Sequence, residues 1–273
     1  MRVLFAVLCC CLGLWLPTLE AKEQKVNILE LSRESTVMIV SKSGNSKGTG
    51  FLIDEQYVIT CFHVIAAISA QGGNIKWQIY KDLQVTLSSG EEIKGTVVSA
   101  PTESDLSPLI QDFALIKLET KPTKAFQTVP LAPEKECPSV GDEVVFSGYP
   151  LATPGMVTHR GMVSGFDKSG SLIFLQAAIN KGNSGGGLLN DKGQVVGIIS
   201  MREGGISQGL NELRVYIDQT SQHGRFAIMG VDPLQATKAI IETLDQYIST
   251  GIGYARSITF ARSYLNNHSG LIK

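Results

Sequence analysis

The sequence predicts an all-β fold, either a sandwich or a pair of barrels. Short runs rich in β-branched and aromatic residues recur from Ser35 onward, turn residues fill the gaps between them, and one clearly helical stretch appears only after residue 230. The runs fall into two series around a proline-rich stretch, which predicts two units. The chain has 273 residues, 43% hydrophobic and 18% charged, enough for one large or two small cores. A formal net charge of −1, with no basic patch and no acidic tail, speaks against a nucleic-acid partner.

Taken in order, the elements begin with a leader. Met1-Arg2 is positive, Val3 to Leu16 is almost wholly apolar, and "LPTLEA" ends in Ala21 before "KEQK". That is the pattern of a signal peptide, 1–21, cleaved after Ala21. The apolar run falls short of the roughly 20 residues that span a bilayer, so no stable membrane span is expected. Val26 to Arg33 reads as a short helix or lead-in. The first β series is "TVMIVSK", "GTGFLID", "YVIT", "IKWQIY", "LQVTL", "IKGTVVSA" and "FALIKL", about 35–120. Lys121 to Asp142 carries four prolines and reads as a linker, about 121–140. The second series, about 141–231, is "EVVFSGYP", "GMVTHRGMVSGF", "SLIFLQAA", "GQVVGIIS", "LRVYID" and "RFAIMG". A helix over 233–249 follows, with Asp232 as cap, Pro233 in its first turn, Gln235 at the capping-box position, and a stripe of Ile240, Ile241, Leu244, Tyr247 and Ile248. Residues 251–273 are read as a tail.

The chemistry centres on "AINKGNSGGGLLN". A nucleophilic serine needs neighbouring N–H groups aimed at a developing oxyanion, and glycines on either side of Ser184 permit such a backbone. "NSGG" is equally an ordinary turn. A serine nucleophile needs a base, and His63 in "YVITCFHVIAA" stands at the end of a β run, where it can face a cleft or lie in a core. The base needs an orienting carboxylate, and Asp112 in "QDFALIKL" opens a β run, where a turn aspartate is also common. Three of the five cysteines leave with the leader. Cys61 and Cys137 can form a bridge or stay unpaired. No metal motif and no cofactor motif is found.

Together these stretches resemble the chymotrypsin-like (trypsin-like) serine proteases, and most closely their HtrA-type branch without a PDZ domain. The resemblance rests on "GTGFLIDEQYVITCFHVI", "DFALIKL" and "AAINKGNSGGGLLN" in that order, and covers about Ser35 to Thr250. It implies two packed six-stranded antiparallel β-barrels with a C-terminal helix. It implies a Ser184, His63, Asp112 triad with the N–H groups of Gly182 and Ser184 as the oxyanion hole. Ala178 is implied at the floor of the main specificity pocket, with Ser200 and Met201 in its wall. A small, uncharged floor implies a small or medium apolar P1 residue. Arg225 is implied near the same pocket. Asn183, uncharged where trypsin-type zymogens carry an aspartate, implies that leader removal is the only obligatory cut.

The sequence departs from the family at several places. Lys181 and Gly187 replace prolines, both backbone-compatible. Phe62 replaces a small residue beside His63, and its ring must be housed locally. Asp112 follows His63 by 49 residues, long for this branch, and "KWQIYKDLQVTLSSGEEIKG" is read as an extended hairpin filling that gap. The tail is shorter than the roughly 80–100 residues of a PDZ domain, so PDZ-borne peptide sensing is not implied. Nor is trimer formation. The expectation is an exported serine endopeptidase, periplasmic or secreted, acting on protein or peptide substrates, unfolded proteins included. The alternative is a protease fold kept as a catalytically weak peptide-binding or chaperone module.

Overall fold

A short capped helix is the first described element and ties the two halves together. The computed structural model describes residues 27–71, 74–100, 111–151, 153–202, 208–221, 227–247, 251–259 and 261–263. The expected leader 1–21 and Arg225 lie outside them. Helix α1 (Ile28–Ser35) is capped by Asn27, whose side-chain oxygen accepts from the Glu30 N–H. Its Ser32 shares a 2.8 Å hydrogen bond with Ser147 of the second half, and both residues are fully buried.

The chain continues through β1 (Thr36–Ser41), β2 (Ser46–Leu52), β3 (Tyr57–Thr60), a single helical turn α2 (Phe62–Ile65), β4 (Ala66–Gln71), β5 (Asn74–Ile79), β6 (Leu83–Thr86), β7 (Glu92–Ser99) and β8 (Ala114–Leu118). Six of these strands close an antiparallel barrel in the order β1-β2-β3-β8-β7-β6. Val37, Ile39, Phe51, Val58, Ile59, Leu115 and Ile116 fill it with at most 1% exposure each, an apolar load that stabilises at about 25 cal/mol per Å² removed from water. "IKWQIY" is not a barrel strand. As β5 it pairs with β4 in a separate two-stranded sheet, while the hairpin expected within "KWQIYKDLQVTLSSGEEIKG" is present as the β6–β7 pair. That small sheet houses the Phe62 ring. Phe62 is fully buried and meets Trp77 of β5 edge-on, with centroids 6.1 Å apart. Successive residues of a helical turn point about 100° apart, so the ring packs inward while His63 faces elsewhere.

Residues 121–140 are mostly irregular, as their prolines predict, and touch the second barrel through a Leu131–Val195 bridge. The second barrel consists of β9 (Glu143–Gly148), β10 (Val157–Phe166), β11 (Leu172–Gln176), β12 (Gly187–Leu189), β13 (Val195–Arg202) and β14 (Ile252–Ser257), closed in the order β10-β11-β14-β13-β12-β9. The expectation of two six-stranded antiparallel barrels is met. The boundaries of the second barrel differ. Its last strand lies in the expected tail, so the barrel runs to Ser257 and not to about 231. "LRVYID" is helical, within α3 (Gln208–Ser221), and of "RFAIMG" the described part is a tight turn bridged between Ile228 and Val231.

Helix α4 (Pro233–Tyr247) stands where a helix was expected, with the Asp232 carboxylate accepting from the N–H groups of Leu234 and Gln235. It precedes the last strand, however, so it is part of an α3–α4 insertion between β13 and β14. Of its apolar stripe, Ile241 is buried, while Ile240 and Leu244 are 60% and 41% exposed. Residues 258–259 and 261–263, after β14, are helical. No helix among the described residues is long and apolar enough to cross a membrane.

Candidate active site

Strand register brings His63 and Asp112 together. β3 and β8 pair antiparallel with Thr60 opposite Ala114. His63 follows Thr60 by three residues and Asp112 precedes Ala114 by two, so both emerge at the same rim of the first barrel. The long spacing in sequence is absorbed by the β4–β5 sheet and by the segment before Asp112. Asp112 is 4% exposed and fully engaged. It accepts from the His63 backbone N–H at 3.0 Å, from His63 Nδ1 at 2.9 Å and from Ser200 Oγ at 2.7 Å. Burial by itself would raise the Asp112 pKa, but the His63 ring and these donors hold the carboxyl down at about 2. For His63, burial pulls down, yet the charge and hydrogen bond of Asp112 outweigh it and raise the imidazole above its ordinary value of 6.5. The His63 side chain stays 37% exposed, leaving one edge of the ring open.

Ser184 joins the same network through Ser200. Its Oγ donates to the Ser200 carbonyl at 3.0 Å, and the Ser200 hydroxyl holds Asp112. Ser200 thus tethers both sides through two different groups, its carbonyl to Ser184 and its hydroxyl to the Asp112 that holds His63. Among the described residues the hydrogen bond of the Ser184 hydroxyl goes to Ser200 and not to His63. The sequence reading placed Ser200 in a pocket wall. Its grip on the carboxylate is a tertiary contact that no local pattern announces.

The loop around Ser184 is held plane by plane. Leu151 N–H donates to the Lys181 carbonyl at 2.8 Å, and Gly186 N–H donates to the Asn183 carbonyl at 3.1 Å. In a trans peptide the N–H points opposite to the C=O. The N–H groups of Gly182 and Ser184, in those same two planes, therefore point the other way, and neither has an acceptor among the described residues. Gly182 has φ +98°, and a Cβ there would meet the Tyr149 carbonyl at 2.3 Å, so glycine is required. Asn183 is fully buried and carries no charge.

The expected pocket residues are placed as follows. Ala178 is exposed, after β11. Ile179 beside it is buried against Gly253 of β14. Met201 lies on β13 opposite Tyr254. The two cysteines do not pair, because Cys61 is buried, with its thiol on the Ile199 carbonyl at 3.3 Å, and Cys137 is on the surface. Burial, with Asp112 next to it, raises the Cys61 pKa well above normal and keeps the thiol protonated. Cys61, His63 and Asp112 bring S, N and O donors within 4.8 Å of one another, a set that could suit a soft cation. The Arg256 charge felt by both His63 and Cys61 opposes a second cation there, and Nδ1 and the carboxylate are already bonded to each other.

Comparison with known proteins gives the family and a likeness of fold. The trypsin-like peptidase domain family matches residues 48–198. "Serine protease Do-like HtrA" of Lactococcus lactis is 32% identical over 183 residues, covering 62% of this chain and 37% of that protein. "Probable periplasmic serine endoprotease DegP-like" of Ectopseudomonas mendocina is 34% identical over 173 residues, covering 60% of this chain and 32% of that protein. The chain thus spans about a third of the length of the curated relatives it matches. Among solved structures, the serine endoprotease from Yersinia pestis superposes with a TM-score of 0.57 at 19% identity, over 88% of this chain and 64% of that one, a likeness of fold.

Proposed function

This chain belongs to the trypsin-like peptidase family, and from that premise we propose that it is a serine endopeptidase working through Ser184, His63 and Asp112. The observation that carries the reading is the meeting, on either side of Ser200, of an Asp112-held imidazole and a serine whose loop presents the Gly182 and Ser184 N–H groups unpaired. In this mechanism the Ser184 hydroxyl rotates from the Ser200 carbonyl to His63 Nε2 when substrate binds, as catalytic hydrogen bonds of free enzymes often tighten only in the complex. Oγ attacks the scissile carbonyl while its proton passes to Nε2. The oxyanion is received by the two N–H groups, and the proton then leaves with the amine as the acyl-enzyme forms. Water repeats the cycle to release the acid. Asp112 holds Nδ1–H throughout and stabilises the imidazolium.

The pH dependence follows in sign. The reaction needs neutral His63, and its pKa is raised, so kcat/KM is expected to fall as pH drops through a midpoint above 6.5, the ordinary histidine value. A kcat/KM profile on a peptide substrate checks this, and an acid limb centred below that value would contradict it.

The proposed substrates are proteins and peptides, unfolded proteins included, cleaved after small or medium apolar residues because Ala178 offers a pocket floor without charge. Export to the periplasm or beyond is proposed from the leader pattern and from the name of the DegP-like relative. Cleavage of a peptide library should give Val, Ala or Leu at P1, and a dominant demand for Arg or Lys would overturn the pocket assignment. One observation favours the peptide-binding alternative, namely that the Ser184 hydroxyl is engaged by Ser200. A fluorophosphonate probe separates the two readings. Labelling at Ser184 supports the peptidase, and no labelling of the native protein supports the binding module.

A further inference from the structure

Thr49 of barrel one is hydrogen-bonded directly into the oxyanion loop of barrel two. It lies on β2 and is fully buried. Its backbone N–H donates to the Ser184 carbonyl at 2.9 Å. Its hydroxyl donates to the Gly182 carbonyl at 2.6 Å and accepts from the Tyr149 N–H at 3.0 Å. Its own carbonyl accepts from Thr60 Oγ1 at 2.6 Å and lies so close to the loop that a Cβ on Gly185 would meet it at 1.9 Å. The hydroxyl's donor and one acceptor site are therefore both committed to barrel two.

The position of these bonds gives them a role. The Gly182 N–H belongs to the peptide plane before that residue and the Ser184 N–H to the plane after Asn183. The Gly182 carbonyl lies in the one plane between them, and that plane is held from both sides, by the Thr49 hydroxyl on its carbonyl and by the Asn183 N–H, which donates to the Asn180 carbonyl at 3.0 Å within the loop itself. Because Gly182 sits in a region of φ that glycine alone occupies freely, nothing in its own covalent structure holds that plane still.

We propose that the Thr49 hydroxyl is a positioning residue for the oxyanion hole: it locks the central plane of the Gly182–Ser184 loop across the barrel interface, so that the two flanking N–H groups converge on one oxygen. Thr49 does not touch substrate. Its effect is on the transition state, in which the oxyanion exists, and hardly on ground-state binding. The inference rests on the peptidase reading above.

Thr49→Val keeps the shape and removes the hydroxyl. Expected are a fall in kcat of about 10- to 100-fold, a fraction of what losing a whole oxyanion donor costs, a KM within about twofold of wild type, and a parallel loss in affinity for a peptide boronate, whose tetrahedral adduct places an oxygen in the hole. Thr49→Ser restores the hydroxyl and is expected to recover kcat to within a few-fold. Where Thr49→Val does not fold, Thr49→Ala carries the same expectation. A purely structural role would lower Tm in Thr49→Val and leave kcat and boronate affinity unchanged, which would overturn the proposal. So would a Thr49→Ser enzyme as slow as Thr49→Val. A wild-type protein that neither hydrolyses peptides nor reacts with fluorophosphonate overturns the peptidase reading and this inference with it. An active wild type with an unimpaired Thr49→Val overturns this inference alone.

Discussion

Ser184→Ala is expected to lower kcat for peptide hydrolysis by about a millionfold, the scale on which loss of a triad nucleophile acts. The fold should survive. The serine hydroxyl makes one hydrogen bond, to the Ser200 carbonyl, at a partly exposed site, and such a bond contributes about 0.5–1.5 kcal/mol. Thermal unfolding of the variant should therefore stay close to wild type while fluorophosphonate labelling disappears. Casein or peptide turnover above about one per cent of wild type would rule Ser184 out as nucleophile. The two measurements are needed together, because an inactive variant that has also unfolded says nothing about chemistry.

Asp112→Asn should produce the next largest loss, about ten-thousandfold in kcat. The carboxylate accepts from His63 Nδ1, from the His63 backbone and from Ser200. An amide of the same shape turns one acceptor into a donor. If that donor faces Nδ1, the ring must carry its proton on Nε2, where Ser184 needs a vacant lone pair. The His63 pKa should also fall, since the charge that raised it is gone. The acid limb of the residual activity is then expected to move to lower pH than in wild type, and nitrogen NMR of the imidazole should report the exchanged tautomer. A variant with an unmoved acid limb, or with activity within tenfold of wild type, would remove Asp112 from the mechanism.

The sequence made the triad legible because each member sits in a short motif with its own strand. "YVIT" before His63 and "ALIKL" after Asp112 form neighbouring strands, and their pairing does the rest. The strands were legible as short β-type runs between turn residues, and the pair of barrels through the family resemblance. What escaped the reading is instructive in physical terms. β14 contains a glycine, Gly253, and a buried Arg256, which break the apolar pattern of "IGYARS", while "RFAIM" upstream looks more like a strand. In α3, the run Val215-Tyr216-Ile217 suggested a strand, but the turn-to-turn spacing of Leu213 and Ile217 is helical, and only Ile217 is buried. β4 passed unread because it follows His63 without a turn signal. The contacts of Ser200 and Thr49 join segments far apart in sequence, and "SMR" or "GTG" read alone cannot announce them.

The insertion of α3 and α4 has a kinetic side. β13 carries Ser200, and it must find β14 across residues 203–251 before the second barrel can close. Closing such an excursion is entropically inexpensive at equilibrium, since each doubling of loop length adds only about 0.6 kcal/mol. It matters more for speed, because a pairing so distant in sequence yields no stabilisation until the ends meet. β14 also pairs with β11, across residues 177–251, so both of its seams are expected to close late, one of them beside Ser200. The strand that carries the serine donor of Asp112 is then among the last to be held on both edges.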